Sequence, residues 1–551
     1  MFFPLSPALY YLANFHRALD WLGRHHLDLM DAAERGFLRR FPALPLPAQA
    51  LLVRMVMRKG PHFRASKLNY AELGCPLQAA EALLEAGWVS RDALLTVAEV
   101  AGLLRREELL QHLGACLPRA SQPKALLIAS LAEALPGSRR FADWCPAADE
   151  AVLSLTVAEL CERLRLMFFG NLAQDWSEFV LADLGIFRYE MVEMAPGARG
   201  FRNRAELEAH LHLYRCRERL AAGEAVAALW PELGPRPVDS PHLARRHGRV
   251  ALALGRQLER EGKLEQALAL YREAGGEGSR ARRIRVLERL ARDAEAHALA
   301  QEAMAAPESG AEAQLAARAL RRLSPRLGLG RLPPAPRAEE VRIPLRLPRS
   351  AGRVEEAVRA HFHTPEAPVF YVENTLICSL FGLLCWEAIF APVPGAFFHP
   401  FQAGPADLHD GAFRQRRAAL FDACLARLAD GSYRDAIRDN FAAKQGMQSP
   451  FVFWSMLTEE LLELALVCLP PAHLRACFER LLLDLRENRA GMPDLIQFWP
   501  AQQRYRMLEV KGPGDRLQDN QKRWLAFCAE QGMPVAVCYL SWEGEGGEAE
   551  A

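Results

Sequence analysis

Asp494, preceded by Gly491-Met492-Pro493, is followed fifteen residues later by Glu509-Val510-Lys511. An acid, a gap and then Glu-x-Lys is an arrangement suited to cutting a phosphodiester. Two carboxylates can hold a hard divalent cation, Mg²⁺ or Mn²⁺, through oxygen ligands. Such a cation activates water and neutralises the charge that builds on the phosphoryl oxygens. Lys511 can orient the attacking water or steady the scissile phosphate. The carbonyl of Val510, between the two charged residues, is a further oxygen that could complete the shell.

Fifteen residues are enough to finish one strand, turn and lay a second beside it. Residues 494–499 and 505–510 read as two strands, 520–531 as a helix with Trp524, Leu525 and Phe527 apolar, and 534–540 as a third strand. Strand, strand, helix, strand is a compact α/β core. Asp494 then stands at the mouth of one strand. Glu509 and Lys511, two apart on the next, share one face of it. A further acid is expected from a helix upstream of the sheet, where Glu373 and Glu387 are the candidates. On one continuous helix they would stand roughly 21 Å apart, so only one reaches the ion. Glu373, at the polar start, is chosen. Glu387, flanked by Trp386 and Phe390, reads as half of a structural pair.

Bulk composition sets wide limits. The chain has 551 residues, 68 basic and 67 acidic side chains, and half of its residues are hydrophobic. Two to four domains are expected. A balanced charge neither announces nor excludes a nucleic-acid partner, because a basic groove can be offset by acidic surface elsewhere. The twelve Cys include no C-x-x-C pair, which argues against a zinc ribbon or a disulfide scaffold and for reduced thiols in a cytoplasmic protein. Met1-Phe2-Phe3-Pro4-Leu5-Ser6 lacks the features of a signal peptide. No run of about 20 uncharged apolar residues suggests a membrane span. Residues 544–551 are acidic and Gly-rich, and disorder is expected there.

Upstream of the site the chain reads as mostly helical. Tyr10, Leu12, Phe15, Leu19 and Leu22 recur at helical spacing. Arg54, Arg58, Lys59, His62, Arg64 and Lys67 form a basic cluster, followed by helices at 77–86 and 93–100 joined by Gly87-Trp88-Val89. Two helices and a short extended piece resemble a winged-helix module. Its basic cluster reads either as a solvated helix face or as a grip on DNA phosphates. Residues 103–135 form a helix pair with a loop at Pro118, similar to a SAP motif. Residues 203–328 read as a degenerate helical solenoid, in which Leu258, Gly262, Ala267, Leu268 and Tyr271 resemble one tetratricopeptide-like unit. Within it Arg280, Arg282, Arg283 and Arg285 are either an exposed helix face or a phosphate pocket. The Gly- and Pro-rich stretch 328–350 reads as a linker.

Gly491-Met492-Pro493-Asp494-Leu495, Leu508-Glu509-Val510-Lys511-Gly512-Pro513, Asp515-Arg516-Leu517 and Gln521-x-x-Trp524-Leu525 resemble the VRR-NUC domain, a branch of the PD-(D/E)xK nuclease superfamily. Tyr11-Leu12-Ala13-Asn14-Phe15, Leu46-Pro47-Ala48-Gln49, Arg58-Lys59, Ser66-Lys67-Leu68, Phe201-Arg202-Asn203-Arg204 and the segment from Glu373 to Phe390 extend the likeness to the Fanconi-associated nuclease family, over about residues 10–540. The resemblance implies a structure-specific DNA nuclease that cuts 5′ flaps, degrades onward in the 5′-to-3′ sense and helps unhook interstrand crosslinks. It implies a mostly α, multidomain layout: an N-terminal DNA-binding region at 1–165 with its SAP-like motif at about 100–135, a tetratricopeptide-like helical domain at 166–340, a C-terminal α/β nuclease domain at 341–545, and a disordered tail at 546–551. Asp494, Glu509 and Lys511 fall on the family motif, Glu373 on its upstream metal-binding acid, and Gln521 on a further active-site position. The partner implied is branched or flapped DNA, and no membrane. No Cys/His set matches the family's ubiquitin-binding finger, so recruitment by ubiquitin is not expected. Arg282 corresponds to the Arg of the family's 5′-phosphate pocket. Nothing near Ala311-Glu312 supplies the pocket's His, which leaves recognition of a 5′ phosphate open.

Two other readings compete: a non-catalytic binder of branched DNA with a decayed nuclease core, and a helical scaffold for protein partners. The intact acid set argues against the first and the basic clusters against the second. His361 and His363 have no third ligand at a useful spacing and read as surface or packing residues, as do Cys378 and Ser379 on their apolar helix.

Overall fold

The structure, a computed structural model, describes residues 9–116, 121–194, 198–333, 340–349 and 352–543. Pro118 and the acidic tail lie outside the described residues. The chain is multidomain and mostly helical, and its contacts divide it into two compact units: residues 1–187 with 197–208, and residues 188–196 with 209–551.

The first unit begins with the helix Tyr10–His25, which buries Tyr11, Leu12, Phe15, Ala18, Leu19 and Leu22 along one stripe. The helices Leu46–Val56 and Pro76–Glu85 pack together, each started by a Pro in its first turn. Beside them a three-stranded sheet runs in the order His62–Arg64, Val152–Leu155, Val89–Ser90, antiparallel throughout. The extended piece expected after the second helix is therefore one edge of a wing whose central strand arrives some sixty residues later. Expected helix 93–100 starts instead at Val97, because Leu95–Thr96 pairs with Ser138–Arg139 and Thr96 caps the helix through a reciprocal bond with Glu99. The SAP-like region packs Val100, Leu104, Leu109, Leu127, Leu131 and Trp144 in one core. The unit also extends past residue 165. Phe168, Phe169, Trp176 and Phe179 form an aromatic cluster that reaches Phe15, and burying those rings holds residues 166–187 to this unit.

The second unit contains seven successive helices from Arg204–Ala221 to Gly310–Arg326; the first residues of the leading helix belong to the first unit. Close helix packing here depends on Gly248 and Gly255. A Cβ on Gly255 would stand 2.5 Å from the Tyr271 ring, and one on Gly248 would stand 2.8 Å from the Ala274 carbonyl oxygen. Gly262, picked out in the sequence as part of the repeat, instead forms a turn at φ 77°.

The remainder of this unit is built around a five-stranded sheet in the order Arg342–Leu347, Val535–Trp542, Arg504–Lys511, Leu495–Trp499, Val369–Tyr371. The first three strands are parallel, and Leu495–Trp499 is antiparallel to both of its neighbours. Three of these strands are the expected ones. The outer two correct the sequence reading. Residues 342–347, read as linker, form an edge strand that half-buries Ile343, Leu345 and Leu347 on alternate positions. Its Pro344 is tolerated because it lies at a sheet edge. Val369–Tyr371, where the helix is expected to begin at Tyr371, is the opposite edge, as its β-branched and aromatic composition favours.

One face of the sheet packs Leu495, Leu508, Val510, Ala536, Cys538 and Leu540 against the helix Val354–Phe362. The other face packs Ile496, Phe498, Tyr505 and Met507 against the helices Leu376–Leu384, Pro471–Leu483 and Asp519–Glu530. Among the described residues no single helix is long and apolar enough to cross a membrane. Glu459–Cys468 and Pro471–Leu483 meet that test only as a pair bent by 110°, and both pack into this core.

Candidate active site

The antiparallel pairing of Leu495 with Leu508 fixes the register of the two central strands. One step further along, Asp494 stands opposite Glu509. Side chains alternate across a strand, so Asp494, Glu509 and Lys511 lie on the face carrying Ile496 and Met507, under the helix Asp519–Glu530. On that helix Trp524 and Cys528 are buried, and Gln521, one turn before Trp524, is on the same side. Gln521 is fixed at its own end by a capping box, in which its Oε1 accepts the Gln518 N–H at 2.8 Å.

These elements bring four expected residues together. Lys511 Nζ lies 2.8 Å from Glu509 Oε1, and Gln521 Nε2 donates to the same oxygen at 2.6 Å. The Val510 N–H donates to Asp494 Oδ2 at 2.8 Å. A strand residue sends its N–H and C=O to the same edge, so the Val510 carbonyl also faces Asp494. Glu509 is fully buried, and Asp494 and Lys511 nearly so. Glu509 Oε2 is buried with no hydrogen-bond partner. Such an orphaned carboxylate oxygen is costly.

The charges are unbalanced. Burial raises the Asp494 carboxyl above its ordinary range; the Val510 amide opposes this, and the neighbouring Glu373 adds to the rise. Burial raises Glu509 likewise, reinforced by Asp494 and only partly offset by Lys511. Three acids press on one another around one ammonium group. A hard cation would relieve that repulsion and satisfy the orphaned oxygen, so the donor set fits Mg²⁺ or Mn²⁺.

Glu373 stands differently from the expectation. It is in the turn after the strand Val369–Tyr371, before the helix Leu376–Leu384, not on a helix shared with Glu387. Helical structure breaks at Cys385, and Glu387 lies beyond the break, 3.9 Å from Arg427. The Glu373 carboxylate accepts from the Tyr371 hydroxyl and, at 3.2 Å, from Asn374 Nδ2. Held this way it influences both other acids through space without meeting them. Among the described residues no group of three or more His, Cys, Asp or Glu is drawn close enough to hold an ion. Tyr371 and Asn374 were missed in the sequence. The available signal was Glu-Asn-Thr as a turn, since Asn374 has φ 56° and Asn is enriched in that left-handed conformation.

The basic residues divide into two groups. Arg54 is engaged with Glu72 at 2.5 Å and lies over the rings of Tyr11 and Tyr70. Arg64 bridges Glu108 at 2.8 Å and Glu150 at 2.9 Å. Both tie the first unit together. Arg58, Lys59 and Lys67 are exposed, with Arg58 Nη1 donating to the Lys67 carbonyl at 3.0 Å. In the helical region Arg280 pairs with Glu312 at 2.5 Å, and Arg282 and Arg285 share Glu259 at 3.4 and 2.8 Å. Arg283 is partly buried, with an Nε that lacks a partner. His363 accepts the Val369 N–H at 3.1 Å and Ser379 accepts the Phe453 N–H at 3.1 Å; both are packing roles.

Comparison with known proteins agrees with this architecture. The sequence model of the VRR-NUC domain matches residues 428–542. That of the FAN1 HTH domain matches 9–90, and that of the Fanconi anemia-associated nuclease SAP domain matches 94–144. The two outer strands of the sheet and Glu373 lie upstream of the VRR-NUC match. The Fanconi-associated nuclease 1 homolog of Pseudomonas aeruginosa is 55% identical over 543 residues, 98% of this chain and 97% of that protein. The homolog of Arabidopsis thaliana is 25% identical over 98% of this chain and 67% of that protein. A crystal structure of paFAN1 bound to 2-nucleotide 5′-flap DNA with a gap superimposes with a TM-score of 0.93 at 55% identity, covering 98% of this chain and 100% of that one. With a buried acid pair and a lysine on a VRR-NUC sheet, a glutamine reaching them from the covering helix, and near-complete alignment to such a relative at 55% identity, the chain belongs to the Fanconi-associated nuclease 1 family.

Proposed function

We propose that this chain is a divalent-cation-dependent DNA nuclease that cuts 5′ flaps near their junction, degrades onward in the 5′-to-3′ sense and serves the repair of interstrand crosslinks. The observation that carries this reading is the meeting of Lys511 and Gln521 on Glu509 Oε1, with Asp494 held by the Val510 amide on the adjacent strand and Glu509 Oε2 buried without a partner. Asp494, Glu509 and the Val510 carbonyl would hold Mg²⁺ or Mn²⁺, with Glu373 as the further acid. When bound, the cation polarises the phosphate and makes a water molecule nucleophilic at neutral pH.

The chain's own side chains do the remaining work. Lys511, braced by Glu509, presents an ammonium group to a phosphate oxygen. Gln521 fixes the rotamer of Glu509 and leaves its second oxygen without a protein partner. Exposed Arg58, Lys59 and Lys67 contact duplex phosphates in this reading, and Arg282 and Arg283 mark a second place for backbone contact. The likeness to a relative crystallised on 5′-flap DNA supports flapped DNA as the substrate.

The test is cleavage of an end-labelled 5′-flap duplex with Mn²⁺, with and without EDTA. Nicking near the junction that requires Mn²⁺ and is lost in Asp494→Ala, while flap binding persists, is the expected outcome. Cleavage that survives Asp494→Ala overturns the site. Flap binding without cleavage by the unmodified chain favours a non-catalytic branched-DNA scaffold.

A further inference from the structure

Two short segments deliver carboxylates to the same face. Glu373 follows the strand Val369–Tyr371, and Asp494 precedes the strand Leu495–Trp499. Beyond the pairing of the two strands themselves, two links join the segments that carry the acids. The Val372 N–H donates to the Asp494 carbonyl at 2.8 Å. Asn374 makes the other: its Oδ1 accepts the Met492 N–H at 3.1 Å, and its Nδ2 donates to Glu373 Oε1 at 3.2 Å. A single amide thus grips the carboxylate of one acid and the backbone two residues before the other.

Both anchor points are constrained. Asn374 holds φ 56°, a conformation Asn tolerates better than most side chains. On the facing segment Gly491 has φ 93°, and a Cβ there would stand 2.8 Å from the Asn520 backbone. The Met492 amide is thereby wedged between Asn374 and the start of the helix that carries Gln521. The second Glu373 oxygen is taken by the Tyr371 hydroxyl, so Glu373 is oriented from both sides.

We propose that Asn374 is a positioning residue that fixes Glu373 relative to Asp494 and so sets the affinity of the site for its divalent cation. The inference rests on the metal-dependent reading above. Partners that orient a ligand from outside the coordination shell change metal affinity by about 10–100-fold when removed.

The test is calorimetric titration of the full chain, free of DNA, with Mn²⁺. Asn374→Gly keeps the backbone conformation and removes both amide contacts. It is expected to bind Mn²⁺ about 10-fold or more weakly, to keep its flap affinity in EDTA, and to regain cleavage when Mn²⁺ is raised. In a Glu373→Gln background the same substitution should have no further effect on Mn²⁺ affinity, because the two residues act as one unit. Unchanged Mn²⁺ affinity in Asn374→Gly overturns the proposal. So does an unfolded variant, or a loss of cleavage that added Mn²⁺ does not restore, since either assigns Asn374 a purely structural role. Asp494→Ala is the control: Mn²⁺ binding that survives it overturns the metal site itself, a result separate from the failure of Asn374.

Discussion

Asp494 and Glu509 face each other across adjacent antiparallel strands, and the Val510 N–H holds Asp494 Oδ2 at 2.8 Å. The register that makes Leu495 and Leu508 partners in the core also places two acids side by side in a buried site. Burial and the repulsion of neighbouring acids raise both carboxyls, which is a stability cost. Asp494→Asn keeps an acceptor for Val510 and removes one charge. It is expected to raise the stability of the cation-free protein by about 1 kcal/mol and to lower flap cleavage by about 10³-fold. Thermal melting in EDTA and single-turnover cleavage in Mn²⁺ check the two halves. A variant both inactive and less stable would show that Asp494 is chiefly a structural anchor.

Gln521 acts through Glu509, with 2.6 Å between Nε2 and Oε1. Gln521→Ala frees that carboxylate to rotate and removes the reciprocal helix cap with Gln518. Cleavage at fixed low Mn²⁺ should fall about 10–100-fold, and stability by about 1 kcal/mol for the lost cap. Gln521→Glu, which can cap the helix but brings a carboxylate against Glu509, should stay as inactive as the alanine variant. Recovery of activity by the glutamate variant would show that the cap, not the contact with Glu509, is what matters.

His26 in the first unit is fully buried, with neither ring nitrogen hydrogen-bonded. Burial first, then His25 and Arg199, lower its pKa from 6.5 to about 4. The unfolded chain therefore binds a proton below pH 6.5 that the folded chain refuses until near pH 4. Stability from this residue is present above pH 6.5 and is lost as pH falls through that window, by about 2 kcal/mol at pH 5. Urea unfolding of the full chain at pH 7 and pH 5 measures the loss. His26→Phe should remove that part of the difference, and an unaltered pH dependence in the variant would exclude His26 as its source.

The helical region depends on contact between Gly255 and the Tyr271 ring, where a Cβ would stand 2.5 Å away. Tyr271 is fully buried and its hydroxyl donates to Glu259 at 3.0 Å, so the ring cannot swing out without breaking that bond. Gly255→Ala is expected to destabilise by about 1–3 kcal/mol through overpacking. At an open helix position the same change would stabilise. A melting temperature equal to or above that of the unmodified chain would show that the helices separate freely.

The sequence by itself determined which polar residues share a strand face. Asp494, Glu509 and Lys511 were legible because a period of two puts residues 509 and 511 on one face, and a fifteen-residue gap suits a strand pair. The two strands that this gap spans and the helix carrying Gln521 were legible for the same reason: their patterns are local. The outer strands, 342–347 and 369–371, were not. A short edge strand is defined by its pairing partner, and those partners lie more than a hundred residues away in sequence. The position of Glu373, its clasp by Tyr371 and Asn374, and the internal pairing of Arg54, Arg64 and Arg280 were likewise settled only in three dimensions. Charge type can be read along a chain. Whether a charge meets solvent, a phosphate or an opposite charge depends on which distant segment folds against it.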